Sequence, residues 1–227
     1  MTDTASPLTP PPVPEGVTRA SEEAGFYHEA ALNATWTGVR LALGGLSFGF
    51  GCFVFAYFYL RSLNSHGMWH PAGFKGPQGW AGALIMALVV ASAVLQHVGL
   101  TRIKAGNKSA WQVSAPLALL LGLGAVGLQL VQLLNLPFQP GSAGFASVFV
   151  GATPVFLITV LAAMIWLETL IMRVRVIPEI SFVEQPPTYA EAFAVQRFQS
   201  SLSAFTVLWD YLAVVAVVFW VLFYLTA

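Results

Sequence analysis

Residues Trp111 to Leu136 read WQVSAPLALLLGLGAVGLQLVQLLNL, a stretch without a single Asp, Glu, Lys or Arg. A hydrocarbon layer about 30 Å thick takes about 20 apolar residues of helix at about 1.5 Å each, so this stretch is long enough to cross it. Four other stretches pass the same test. Leu41 to Leu60 carries no charge between Arg40 and Arg61, and Trp80 to Leu100 is closed by Arg102 and Lys104. Gly144 to Met172 holds one acid, Glu168, and residues 200–226 hold one, Asp210. These last two exceed the minimum length, which leaves room to tilt or protrude. The expectation is an all-α integral membrane protein: a polar tail over residues 1–37, then a five-helix bundle over residues 38–227.

The composition of the 227 residues agrees. Hydrophobic residues make up 57% and charged residues 9%, against roughly 45–50% and about 25% in a water-soluble domain. Ten basic and ten acidic residues give zero net charge, so no nucleic-acid surface is indicated. The one cysteine, Cys52, excludes an intramolecular disulfide and any cysteine-only zinc or iron–sulfur site.

The tail is acidic and contains Pro10, Pro11, Pro12 and Pro14, which favours an extended, surface-draped arm. It lacks the basic start and apolar run of a secretory signal and the Arg-rich character of an organellar presequence, so a bacterial inner membrane is the expected location. Lys and Arg resist translocation. With five spans, Arg19, Arg40, Arg102, Lys104, Lys108, Arg173, Arg175 and Arg197 fall on one side and only Arg61 and Lys75 on the other. The N-terminus is therefore expected in the cytoplasm and the C-terminus outside. No repeat relates the two halves, unlike the paired inverted repeats of many secondary transporters.

Charge inside a span costs about 2.5–3.5 kcal/mol at the centre of the helix, so Glu168 and Asp210 are the first candidates for function. They read either as a proton or cation relay or as structural groups, paired with Arg173, Arg175 or a neighbouring subunit, or reaching the headgroups. Four histidines raise the question of haem or metal, but only His97 falls within a span; His66 and His70 belong to a loop and His28 to the tail. No haem or metal site is expected in this chain. Gly45 and Gly49, followed by Gly51, and Gly122, Gly124 and Gly127 in the third span read as seams where helices approach closely. Phe48, Phe50, Phe53, Phe55, Tyr57, Phe58 and Tyr59 read as lipid-facing and interhelical filling. No phosphate-binding loop, dinucleotide fingerprint, nucleophile elbow or paired-cysteine motif occurs.

Three segments carry a resemblance. Ala56, Tyr57, Phe58, Tyr59, Leu60, Arg61 leads to Trp69, His70, Pro71; Pro140 to Phe149 continues to Thr153; and Trp209, Asp210, Tyr211 is followed by Val214, Val215 and by Leu222, Phe223, Tyr224, Leu225. In order and spacing the chain from Leu41 to Leu225 resembles the five-helix form of subunit III of the haem-copper terminal oxidases. There an Ala-Tyr-Phe-x-x-Arg segment precedes a Trp-Pro loop, and the last helix carries Trp-His-Phe-x-Asp-Val-Val-Trp. The departures fall on polar positions. Leu46 stands at the family's buried Glu, Gln132 at the Glu of Gln-x-x-Glu-Tyr beginning at Gln129, and Phe156 and Thr159 at the two His of the fourth span. Pro154 stands for a preceding Gly, Asp210 for the last helix's His, and Ala213 for its Asp. A carboxylate replaced by Leu46 cannot titrate.

The resemblance implies a non-catalytic accessory subunit that braces the catalytic subunit I, beside subunit II, while the complex reduces oxygen to water. It implies haem and copper in those partner chains and none here, and phospholipid held in a cleft between the first two spans and the rest. A respiratory supercomplex and a nitric oxide reductase as the parent complex both stay open. Arg40, Arg61, Arg102 and Lys104, at span ends, are candidate lipid-headgroup contacts. The rival readings are a small transporter or channel coupled through Glu168 and Asp210, and a scaffold protein of unrelated ancestry.

Overall fold

The computed structural model of the chain describes residues 19–64, 67–178, 182 and 189–226. The proline run and His66 lie outside the described residues. The architecture there is all-helical: α1 (Arg19–Ser62), α2 (Gly79–Lys104), α3 (Lys108–Leu134), α4 (Gly144–Val176) and α5 (Tyr189–Trp220), which widens into one π-helical turn over Val221–Leu225. All five helices are long and apolar enough to cross a membrane. Each covers all or nearly all of one of the charge-free or nearly charge-free stretches, α3 stopping at Leu134.

Two helices run well past those stretches at their N-terminal ends. α1 begins at Arg19, far ahead of Leu41, so helix already occupies the second half of the segment read as a polar tail. α5 begins at Tyr189, ahead of Ser200. Both extensions carry polar residues, which hydropathy counts as outside the span although the helical hydrogen bonds continue through them.

α2, α3, α4 and α5 close a ring of four in which each packs on the next and α5 returns to α2. α1 lies outside the ring, over the seam between α4 and α5. Chain direction alternates. Tyr57 near the end of α1 donates to the carbonyl of Thr226 (3.0 Å), just past α5, whereas Ser200 near the start of α5 donates to the carbonyl of Leu32 near the start of α1 (3.2 Å). One end of the bundle therefore gathers the basic residues Arg102, Lys104, Lys108, Arg173, Arg175 and Arg197, while Arg61 and Lys75 belong to the other.

Short links make the reversals. Gly106 takes φ +84°, a left-handed conformation that a side chain would strain, between α2 and α3. Asn107 then caps α3, its side-chain oxygen accepting from the Ala110 N–H at 2.9 Å. The next residue, Lys108, is buried and donates its ammonium to the carbonyl of Ile177, the C-cap of α4. A cation at a helix C-terminus meets the negative end of the helix dipole, so this lysine ties the start of α3 to the end of α4.

The glycine seams correct the sequence reading. Gly122 faces the Met164 thioether on α4, and Gly82 and Gly99 on α2 face the Tyr224 ring and the Trp111–Ser114 turn so closely that a methyl group would not fit. In contrast, Gly45, Gly49, Gly51 and Gly127 have nothing within 4 Å of where a Cβ would stand. For the first three the reason is placement: α1 lies outside the ring and turns them away from it; Gly127 sits on α3. Its aromatics divide accordingly, Phe50 and Tyr57 buried, Phe48, Phe55, Phe58 and Tyr59 exposed.

Candidate functional site

The basic end of the bundle holds a cleft, a cavity of about 410 Å³ opening between α1, α2 and α5. Its α5 wall is a polar stripe. Gln196, Gln199, Ser203, Thr206 and Asp210 recur at three- and four-residue steps, so they share one helical face. α2 supplies His97, Leu100 and Lys104, and α1 supplies Trp36. A second, apolar groove of about 280 Å³ begins at the same His97 and Asp210 and is otherwise lined by Val90, Ala93, Val94, Val98 and Ala213.

Where the two cavities meet, His97 Nδ1 lies 3.2 Å from Asp210 Oδ2. Both side chains are substantially exposed, at 60% and 43%. With Nδ1 engaged by a carboxylate, the imidazole keeps Nε2 for another partner. Beneath the pair a hydrogen-bonded chain fixes the helices. Trp209 Nε1 donates to Ser92 Oγ at 3.2 Å, and Ser92 donates to the Ala118 carbonyl at 2.6 Å. All of its side chains are buried, so α5, α2 and α3 are locked one residue away from Asp210.

This arrangement revises the expectations for the two acids. Asp210 meets neither Arg173 nor Arg175; its partner is His97, because α5 packs on α2 as well as on α4. Glu168 is exposed and has no hydrogen-bond or ion-pair partner among the described residues. Five residues separate it from Arg173, a spacing that puts the two on different helical faces. The two acids are not brought together, and the α5 stripe ends at Asp210, beyond which Leu212, Ala213, Val215 and Ala216 are buried and apolar. No group of three or more His, Cys, Asp or Glu side chains gathers among the described residues.

The four basic candidates separate too. Arg40, Arg102 and Lys104 are exposed, and only Lys104 lines the cleft. Arg61 stands at the opposite end, donating to the Tyr57 hydroxyl at 3.2 Å with its guanidinium 5.8 Å from the Tyr57 ring. Hydropathy reasoning missed Gln199 and Ser203, since uncharged polar residues hardly lower the average of an apolar span. Their helical spacing was the signal that could have found them.

At the end away from the cleft, aromatic rings fill the bundle. Tyr57 and Trp69 meet edge-to-face with centroids 5.0 Å apart, Trp69 and Phe145 at 5.8 Å, Phe145 and Phe223 at 6.0 Å, and Tyr57 and Phe223 at 6.0 Å. His70 lies 5.0 Å from the Phe145 ring and stacks on Phe74 at 5.1 Å. Partial burial, and then the nearby Arg61 guanidinium, hold the His70 imidazole below its ordinary pKa of 6.5. Gly144 N–H donates to the Met68 carbonyl at 3.0 Å, closing the loop against α4. Tyr224 donates to Gln132 Oε1 at 3.0 Å, tying the π-helical turn to α3.

α1 lies on α4 and α5 while α2 lies on α3 and α5, and the cavity of about 410 Å³ opens between these first two helices and α5. No protein-family model matches the chain, and no curated protein matches it.

Proposed function

We propose that this chain is an accessory, non-catalytic subunit III of a bacterial respiratory haem-copper oxidase. One observation carries the reading. The three segments that resemble subunit III lie far apart in sequence, yet Tyr57, Trp69, Phe145 and Phe223, one ring or more from each, form a single aromatic cluster at one end of the bundle. Alternating helix direction brings the three segments to one end, and there their rings meet edge to face.

On this reading the basic end faces the cytoplasm, as the distribution of Lys and Arg favours. The exposed face of α1, with Leu41, Phe48 and Phe55 between open glycines, suits contact with a larger membrane partner. Haem and copper belong to subunits I and II, and Arg40, Arg61, Arg102 and Lys104 meet lipid headgroups. The transporter reading gains less, because the polar lining stops at Asp210.

Asp210→Asn and Glu168→Gln test the role. Each is expected to lower the yield of assembled complex while turnover per assembled complex stays unchanged, measured by native gel and oxygen uptake. A variant that assembles normally but moves fewer protons per oxygen contradicts the proposal.

A further inference from the structure

We infer that the cleft between α1, α2 and α5 binds the ring head of an isoprenoid quinone or quinol, with its tail in the adjoining apolar groove. The inference is independent of the oxidase reading.

Depth comes first. The helical rise from Gly79 to His97 on α2, and from Asp210 to Leu225 on α5, is about 22–27 Å. The pair therefore lies near the far boundary of a hydrocarbon layer about 30 Å thick whose near boundary is the aromatic end. Lys104 stands about 10 Å further out. A lipid phosphate sits at the depth of Lys104, where it has no use for a titratable pair one layer deeper. A quinone head, which is apolar enough to enter hydrocarbon and polar enough to stop at its edge, sits at the depth of His97 and Asp210.

The lining matches that head. A ring of this class offers two carbonyl or hydroxyl oxygens on opposite edges and two apolar faces. His97 Nε2 is left for one oxygen once Nδ1 is held by Asp210. Ser203, seven residues before Asp210 and so about 10 Å from it along α5, is half-buried, lines the cleft and has no partner among the described residues, so its hydroxyl is open to the other. Trp36 supplies an aromatic wall. At about 410 Å³ the cavity falls within the roughly 300–1,000 Å³ of ordinary small-molecule sites. The groove along Val90, Val94, Val98 and Ala213 leads from the pair toward the middle of the layer, as a tail requires. A carboxylate behind the imidazole suits a ligand that exists with and without hydroxyl protons, since the pair can accept from a quinol and donate to a quinone.

The test uses the purified full chain in nanodiscs of phosphatidylethanolamine and phosphatidylglycerol, titrated with decylubiquinone and followed by tryptophan quenching and equilibrium dialysis. Phospholipid is then in large excess, so saturable quinone binding distinguishes the two amphiphiles. The expected result is saturable binding, weakened about tenfold by His97→Ala and by Ser203→Ala, with most of the quenching lost in Trp36→Phe while dialysis still detects the ligand. Ser203→Ala, which breaks no hydrogen bond within the chain, keeps the test valid if His97→Ala fails to fold. Absence of saturable binding, or binding unaffected by Ser203→Ala and His97→Ala, overturns the inference.

Discussion

The two ends of this bundle solve opposite problems with the same five helices. At one end Tyr57, Trp69, Phe145 and Phe223 leave almost no polar surface, and the hydroxyl of Tyr57 is engaged by Arg61 and Thr226. At the other, Gln199, Ser203, Lys104 and the His97–Asp210 pair line an open cleft. Inside a bilayer, burial of apolar groups gives no preference for protein over lipid, so helices are held by close packing and by hydrogen bonds. The aromatic end relies on close ring packing, with Tyr57 and Tyr224 hydrogen-bonded. The polar end leaves donors and acceptors without partners, which is wasteful for stability and useful for binding. The aromatic end holds the bundle together, and the polar end is free to serve something else.

That contrast breaks most readily at Phe145, whose fully buried ring touches Trp69, His70, Phe149 and Phe223. Phe145→Ala is expected to cost about 3–5 kcal/mol, read as a large fall in Tm for the detergent-solubilised chain. A fall no greater than that of a cleft variant would erase the distinction between the ends. Trp209→Phe comes next. It removes the Nε1–H that joins α5 to Ser92 and is expected to cost about 1 kcal/mol, with the cleft widening as Asp210 loses its register against His97; enhanced hydrogen exchange around Thr206–Leu212 would report it.

The aromatic end should also carry a pH dependence of definite sign. His70 is held below 6.5 in the fold, so protonation favours the unfolded chain. Its contribution is fully present above pH 6.5 and is lost as pH falls through the lower, folded value. Thermal unfolding at decreasing pH should therefore show a small acid-side loss that His70→Gln removes; an unchanged slope in that variant would assign the loss elsewhere. The smallest effect belongs to the cleft. Gln199→Leu should change stability by no more than about 0.5 kcal/mol, and a larger loss would mean that the polar stripe is structural.

The five helices were legible because charge-free runs such as Trp111–Leu136 leave a chain few alternatives in lipid. The partners of the two candidate acids were not. Asp210 meets His97 only because α5, last in the chain, closes the ring against α2, and no local spacing encodes a neighbour that distant. Gly45 and Gly49 show the same limit from the other side: small residues permit a close approach, but they do not say which helix makes it. The stripe from Gln196 to Asp210 was legible in principle through its helical period and was hidden by averaging with the apolar residues between.

The role proposed for the chain rests on what it assembles with, so the most direct measurement is capture of the tagged full-length protein from membranes in mild detergent, followed by a reduced-minus-oxidised spectrum and identification of the recovered chains. The account predicts a haem spectrum together with a haem-copper catalytic subunit in fixed proportion to this chain. A homogeneous preparation without haem and without that subunit would contradict it.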